Sequence, residues 1–304
     1  MKLSVIILNY NGERFLERCL TSLLNNLPES GNEIILVDNH SSDRSVEIIE
    51  KKYKDIRIIK CNRNYGPGGG RNIGGEVSGG EYLLFLDHDT FIKKDTISGM
   101  TRVFEDEKVG IVGCKLLNED GTHQPSAKRF PNLSSEFFSS LLLNRIFKKS
   151  NLTYIIQSDK TVDVGWVSGA CFMIKKEVFL KVGGFDEDYF YGAEEADLCY
   201  RAKMAGWRAL YVPEVEAVHV AYGSNLVVTS RIYSNPLKAK IIFFKKHYPG
   251  VSVKLLKFLL IIQTINELIV WMILSPIKSR YKMRTRIAIK ERIARLTDLI
   301  KGRV

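Results

Sequence analysis

Cysteine is sparse in this sequence and follows no pattern. Cys19, Cys61, Cys114, Cys171 and Cys199 are odd in number and never stand as C-x-x-C. That spacing speaks against a zinc site and suits small buried residues in a reducing compartment. No secretory leader is visible either. Met1-Lys2 runs into LSVIIL, an apolar core too short for a signal peptide and without a small-residue cleavage site. The expectation is a protein that stays in the cytoplasm. Internal repeats and low-complexity segments are also missing. The glycine-rich stretch NYGPGGGRNIGG (64–75) lacks the third glycine of G-x-G-x-x-G, and no lysine follows Gly74 or Gly75 as a P-loop requires.

What is present is the composition of an ordinary folded chain, 304 residues with 45% hydrophobic and 26% charged. The net charge of +11 is unevenly spread. Residues 231–304 hold 17 Lys/Arg against 3 Asp/Glu, and residues 1–230 hold 28 against 31. Two regions are therefore expected, a catalytic or binding domain over 1–230 and a basic helical extension over 231–304.

The first region alternates apolar runs with helical spacing. LSVIIL (3–8), EIILVD (33–38), IRIIKCN (56–62) and EYLLFLD (81–87) are continuous apolar runs. RFLERCLTSLLNN (14–26) and SVEIIEKKY (45–53) have apolar residues three and four apart. Such alternation predicts a parallel sheet covered on both faces, with ligands at the carboxyl ends of the strands. Polar residues fall at those ends: Asn9-Tyr10-Asn11, Asp38-Asn39, Asn64 and Asp87-His88-Asp89. A glycine-rich turn is expected before a helix starting near Arg71-Asn72, where an anion or sugar would find donors. VGIVGCKLL (109–117) and GACFMIKKEVFLKVG (169–183) offer further strands and helices, and GTHQPSAKRFPNLSSE (121–136) reads as loop.

Three groups carry chemistry. Asp87-x-Asp89 follows the fourth strand. An isolated D-x-D is also a common solvated strand end, but at the ligand edge it suits a hard divalent cation, Mg2+ or Mn2+, which takes oxygen ligands and holds diphosphate oxygens. Strand alternation would turn His88 to the other side. Glu194-Glu195-x-Asp197 opens a helical pattern continued by Leu198, Arg201, Ala202 and Ala205. Acids there cap a helix dipole or supply a general base in a cleft, with Tyr189 to Tyr191 as stacking surface. His219 follows a strand-like run and could complete a cation site.

Seven motifs in order, VIILNYNG, LVDNHSSD, NRNYGPGGGRNIG, LFLDHDT, WVSGACFMIKKEVFLKVGGFDE, FYGAEEADLCYRAKMAGW and VPEVEAVHV, resemble the family-2 glycosyltransferases over about residues 1–225. SAKRFPNL and the WVSGA block resemble the rhamnosyltransferase-like branch, which often uses a dTDP-sugar. The resemblance implies an α/β GT-A fold, a Rossmann-like mixed sheet flanked by helices. It places Asn9, Tyr10, Asn11, Asp38 and Asn39 at the nucleoside, and Asn64, Gly66, Arg71, Asn72, Asp87 and His88 along the donor. Asp87, Asp89 and His219 would be metal ligands, and Trp166, Ser168 and Gly169 would shape the acceptor side. Glu195 falls at the general-base position, with Glu194 as its partner where the family usually has Glu-Asp. The implied reaction is inverting transfer of a sugar from a nucleoside-diphosphate donor, dTDP-rhamnose-like or a UDP-sugar, to a hydroxyl of a glycan or lipid-linked acceptor, in cell-surface polysaccharide synthesis. A non-catalytic nucleotide-sugar or glycan-binding module, or a nucleotidyltransferase, would share some of these features. The module need not retain a full set of donor, metal and base residues. A nucleotidyltransferase would need a basic signature at an N-terminal glycine-rich loop, where this chain has LNYNG.

In the extension, VSVKLLKFLLIIQTINELIVWMILSPI (251–277) is interrupted by Lys254, Lys257 and Glu267. A surface-lying or partly buried amphipathic helix is expected rather than a span. The basic run from Lys278 onward suits anionic head groups, giving peripheral association with the inner face of the cell membrane. No aromatics are interleaved for base stacking, so nucleic acid is not an expected partner.

Overall fold

A computed structural model describes residues 2–28, 31–142, 154–221, 230–274 and 282–302. The side chains of 230–236, 274 and 282–288 are not among those described. Residues 275–281, where the basic run begins, lie outside the described residues. The chain divides into two compact units, one of residues 1–130 and 155–227, the other of 131–154 and 228–304. The second unit thus takes residues 131–154 from inside the stretch expected to form the first.

In the first unit the early strands are β1 (Leu3–Asn9), β2 (Asn32–Asp38), β3 (Arg57–Lys60), β4 (Tyr82–Asp87) and β5 (Thr90–Ile92). They alternate with α1 (Leu16–Leu24), α2 (Ser45–Lys52) and α3 (Gly66–Val77), and α4 (Thr96–Arg102) follows. β6 (Val109–Leu117), β7 (His123–Gln124) and β8 (Ala127–Lys128) come next. After α5 (Leu133–Ser140), which belongs to the second unit, the chain returns through β9 (Val162–Val164), β10 (Trp166–Val167) and β11 (Cys171–Lys175). The unit closes with α6 (Lys176–Lys181), α7 (Glu194–Met204) and β12 (Arg208–His219).

The main sheet runs β3-β2-β1-β4-β11-β6-β12-β5. The β3-β2-β1-β4 half is parallel, as the apolar runs require, and β11 enters antiparallel between β4 and β6. Alternation sends neighbouring side chains to opposite faces. Val5, Ile7, Leu84 and Leu86 pack with Leu16, Leu20 and Leu23 of α1. Ile6, Leu8, Leu83 and Phe85 pack with Phe179 and Leu198.

α3 departs from the expectation. The glycine-rich segment is the helix itself, beginning at Gly66, and Arg71 lies in its interior. Six glycines in twelve residues make a poor helix by propensity, each costing about 1 kcal/mol against alanine. Close packing explains them. A methyl group built on Gly70 would lie 2.4 Å from Leu8 Cδ1, and one on Gly74 2.4 Å from Ile6 Cγ2. The stretch 121–136 also differs: it carries β7, β8 and the start of α5 rather than loop alone.

The second unit contains α5 with α8 (Ser230–His247), α9 (Gly250–Leu274) and α10 (Lys282–Ile300). Asn132 caps α5 by accepting from the Ser135 amide. Buried Glu136 on α5 is held by Lys240 at 2.7 Å and by the Tyr154 hydroxyl. Leu256, Leu259 and Leu260 of α9 are buried.

Candidate active site

Strand register gathers the polar residues at one edge. Asn9 pairs with Asp38 across β1 and β2, and Leu8 pairs with Asp87 across β1 and β4. The ends of three parallel strands therefore stand side by side.

Beyond Asp87 the strand stops, and His88 and Asp89 form a turn into β5. The turn, rather than continued alternation, separates their side chains. The His88 ring is buried with Nδ1 3.3 Å from the Leu8 carbonyl. It packs over Gly12, where an added methyl would lie 2.5 Å from the ring. β5 then pairs with β12 so that Thr90 lies opposite His219, and the Val220 amide donates to the Asp89 carbonyl. This pairing brings Asp87, Asp89 and His219 together with their ligand atoms within 4.8 Å of one another. His219 Nδ1 lies 2.6 Å from Gln124 Oε1, while Gln124 Nε2 faces the acceptors of Asn118 and His219. A carbonyl oxygen only accepts, so Nδ1 carries the hydrogen and Nε2 faces Asp89 at 3.5 Å. Burial alone would lower the His219 pKa. The hydrogen bond that the protonated ring donates to Asp89, with the charges of Asp89 and Asp87, outweighs burial and raises it. Two carboxylates and an imidazole nitrogen on one point suit a divalent cation of the Mg2+ or Mn2+ type.

Arg71 is the hub of the site. Its side chain is only 3% exposed. One terminal nitrogen donates to Asp87 Oδ1 at 2.8 Å and to the Gly169 carbonyl at 3.1 Å. The other lies 3.7 Å from Glu195 Oε1. The Gly169 amide donates to that same Glu195 oxygen at 3.1 Å. No side chain fits at 169, since a methyl there would lie 2.2 Å from Glu195 Oε1 and 2.7 Å from Arg71. Arg71 thus bridges Asp87 and Glu195, while its Nε and Nη1 are buried without a hydrogen-bond acceptor. Glu194 is buried, and burial followed by the Glu195 charge pushes its pKa up to about 8. Asp87, Asp89 and Glu195 together outnumber Arg71, and a bound cation would offset that excess.

Other expected residues fall into two sets. Asn9 is buried and donates to Asp38, Ser41 and Ser45 at 2.9–3.1 Å. Asn39 is buried, donating to Asn64 and to the Gly66 carbonyl while accepting from the Tyr65 amide. Asn72, expected on the donor, exchanges both hydrogen bonds of its carboxamide with the Phe185 backbone. It fastens α3 to the GGFDE turn. Asp38 is buried, whereas Tyr10, Asn11 and Asn64 are half-buried at the edge. On the other side, Trp166 donates to the Arg129 carbonyl and lies under Lys128, and Ser168 joins β10 to Gly169.

Tyr189 corrects the expected stacking surface. It is buried, with its hydroxyl donating to Asp197, and only Phe190 and Tyr191 are exposed. Asp197 in turn pairs with Arg201, which donates to the Val182 and Gly184 carbonyls. Gln124 was not legible beforehand, because nothing local marks a glutamine that will orient a histidine 95 residues away.

A mixed sheet flanked by helices, with its polar strand ends beside an acid–histidine cluster, is the α/β GT-A fold of nucleotide-sugar-using transferases. The chain belongs to glycosyl transferase family 2, whose family model matches residues 4–183. It is 28% identical over 233 residues to the N-acetylglucosaminyl-diphospho-decaprenol L-rhamnosyltransferase of Mycobacterium tuberculosis, covering 71% of this chain and 75% of that one. It is 29% identical over 244 residues to rhamnosyltransferase WbbL of Escherichia coli, covering 77% and 89%. Among solved structures it is similar to a mannosyltransferase of Pyrobaculum calidifontis in complex with GDP-Man and Mn2+. That match has a TM-score of 0.58 at 16% identity, over 98% of this chain and 86% of the other.

Proposed function

We propose that this protein transfers a sugar, rhamnose or a similar hexose, from a nucleoside diphosphate to a hydroxyl of a glycan or lipid-linked acceptor during assembly of a cell-surface polysaccharide. Family membership and the rhamnosyltransferase relatives support the substrate class. The observation that carries the chemistry is the Asp87–Arg71–Glu195 clamp, which ties a metal-binding acid to a base at fixed spacing. Asp87, Asp89 and His219 would hold a Mg2+ or Mn2+ ion. When bound, that cation supplies charge stabilisation for the diphosphate leaving group.

Glu195 Oε1 is held by the Gly169 amide and lies beside Arg71, so the carboxylate is aimed before substrate arrives. It takes the proton of the acceptor hydroxyl as that oxygen attacks the anomeric carbon, and attack from the face opposite the diphosphate inverts the centre. Burial and the Glu195 charge push Glu194 toward its neutral form, which limits the negative charge around the base. Glu195→Gln is expected to lower kcat by about 100-fold or more while leaving donor affinity unchanged. Retention of turnover would remove Glu195 from the role. A thermal-shift screen of dTDP-, UDP- and GDP-sugars with and without Mn2+ identifies the donor. Stabilisation independent of Asp87 and Asp89 would reject the donor site proposed here.

A further inference from the structure

Among the described residues one helix, Gly250–Ile273, is long and apolar enough to cross a membrane by length and composition. Its surroundings within the second unit separate two faces. On the inner face Leu256, Leu259, Leu260 and Thr264 are buried, and Asn266 donates to the Ser140 carbonyl of α5. Glu267 sits on this face, 8% exposed, with Arg292 at 3.0 Å and Arg295 at 3.6 Å from the same carboxylate oxygen. Inserting the helix across a bilayer would strip away these partners and leave a carboxylate in hydrocarbon.

The outer face is different. Val251, Leu255, Phe258, Ile265, Ile269 and Met272 are exposed, from 41% at Ile265 to 72% at Val251. With half-buried Ile262 they advance in steps of four and three residues, forming a continuous stripe about 100° wide along the whole helix. Exposed Lys254 lies on the edge of that stripe and half-buried Lys257 just beyond it. A stripe of this spacing also suits a second helix. The charge decides between them: 17 Lys/Arg against 3 Asp/Glu in residues 231–304 repel a second copy and attract an anionic surface.

We propose that α9 lies in the plane of an anionic bilayer, its Val251–Met272 stripe seated in the head-group and acyl boundary and its inner face held by the protein. The proposal is independent of the sugar-transfer reading, since binding is measured without donor or acceptor.

The full chain is sedimented with phosphatidylcholine vesicles, with and without about one-third phosphatidylglycerol. The expected result is binding to the anionic vesicles alone, weakened by salt. Leu255→Ser with Phe258→Ser should reduce that binding at least about tenfold, and so should Lys254→Gln with Lys257→Gln. Circular dichroism checks the fold. If the apolar variant fails to fold, the lysine variant decides. No sedimentation, equal binding to neutral vesicles, or undiminished binding by the variants overturns the proposal. So does a dimer in light scattering that the apolar variant dissociates, which would give the stripe to a second copy. Retention of the chain in bilayers through alkaline extraction would overturn the in-plane geometry.

Discussion

Gly169 shows how one residue without a side chain can hold a site together. Its amide and carbonyl serve Glu195 and Arg71, and a methyl group would collide with both. Gly169→Ala should therefore lower kcat by roughly 100-fold, because the methyl displaces both the proposed base Glu195 and the Arg71 that holds Asp87. Steady-state kinetics check this, and a KM effect alone would contradict it. Glu194 makes a second prediction at this scale. Burial and the neighbouring Glu195 charge move its pKa from 4.5 to about 8. Between those values the folded chain holds a proton that the unfolded chain has lost, so this group's contribution falls as pH rises through the window. Above pH 8 the whole penalty of a buried carboxylate remains. Glu194→Gln removes it. Relative to the parent, the variant should gain stability between pH 5 and 8 by an amount on the order of a few kcal/mol, visible in Tm against pH. An unchanged difference across that range would refute the assignment.

Elements carry the next level of constraint. α3 is built from residues that disfavour helix and is kept by its fit against β1. Gly74→Ala should improve helix propensity by about 1 kcal/mol yet destabilise the protein by about 1–3 kcal/mol, since the new methyl meets Ile6. Urea midpoints decide, and a gain in stability would show that α3 has room to move away. The strands were legible in advance because a buried parallel strand carries a continuous apolar run, as β1, β2 and β4 do. Of α3 only the part from Arg71 onward was, because the glycines before it read locally as turn and only the neighbouring sheet makes them helical. α9 was legible as an amphipathic helix, but which apolar residues face the protein came only from its packing.

At the scale of the whole molecule, the candidate cation site depends on a long excursion of chain. β12 returns beside β5 to bring His219 to Asp89, and β7 brings Gln124 behind the imidazole. Gln124→Leu should weaken Mn2+ binding about tenfold or more in calorimetry by freeing the ring orientation, without unfolding the sheet. Equal affinity would show that Gln124 does not orient the ligand. The sequence by itself determined the alternating first half, the polar strand ends, the acid pairs and the separation of basic charge into the tail. These follow from periodicity and side-chain chemistry, which are local. Only tertiary structure decided that Arg71 joins Asp87 to Glu195 and that Asn72 is tied to Phe185 rather than left facing a ligand, and it brought His219, already a candidate ligand by sequence, to the two aspartates. The physical reason is that most such contacts are set by strand order and register between residues about a hundred positions apart, which no local pattern encodes.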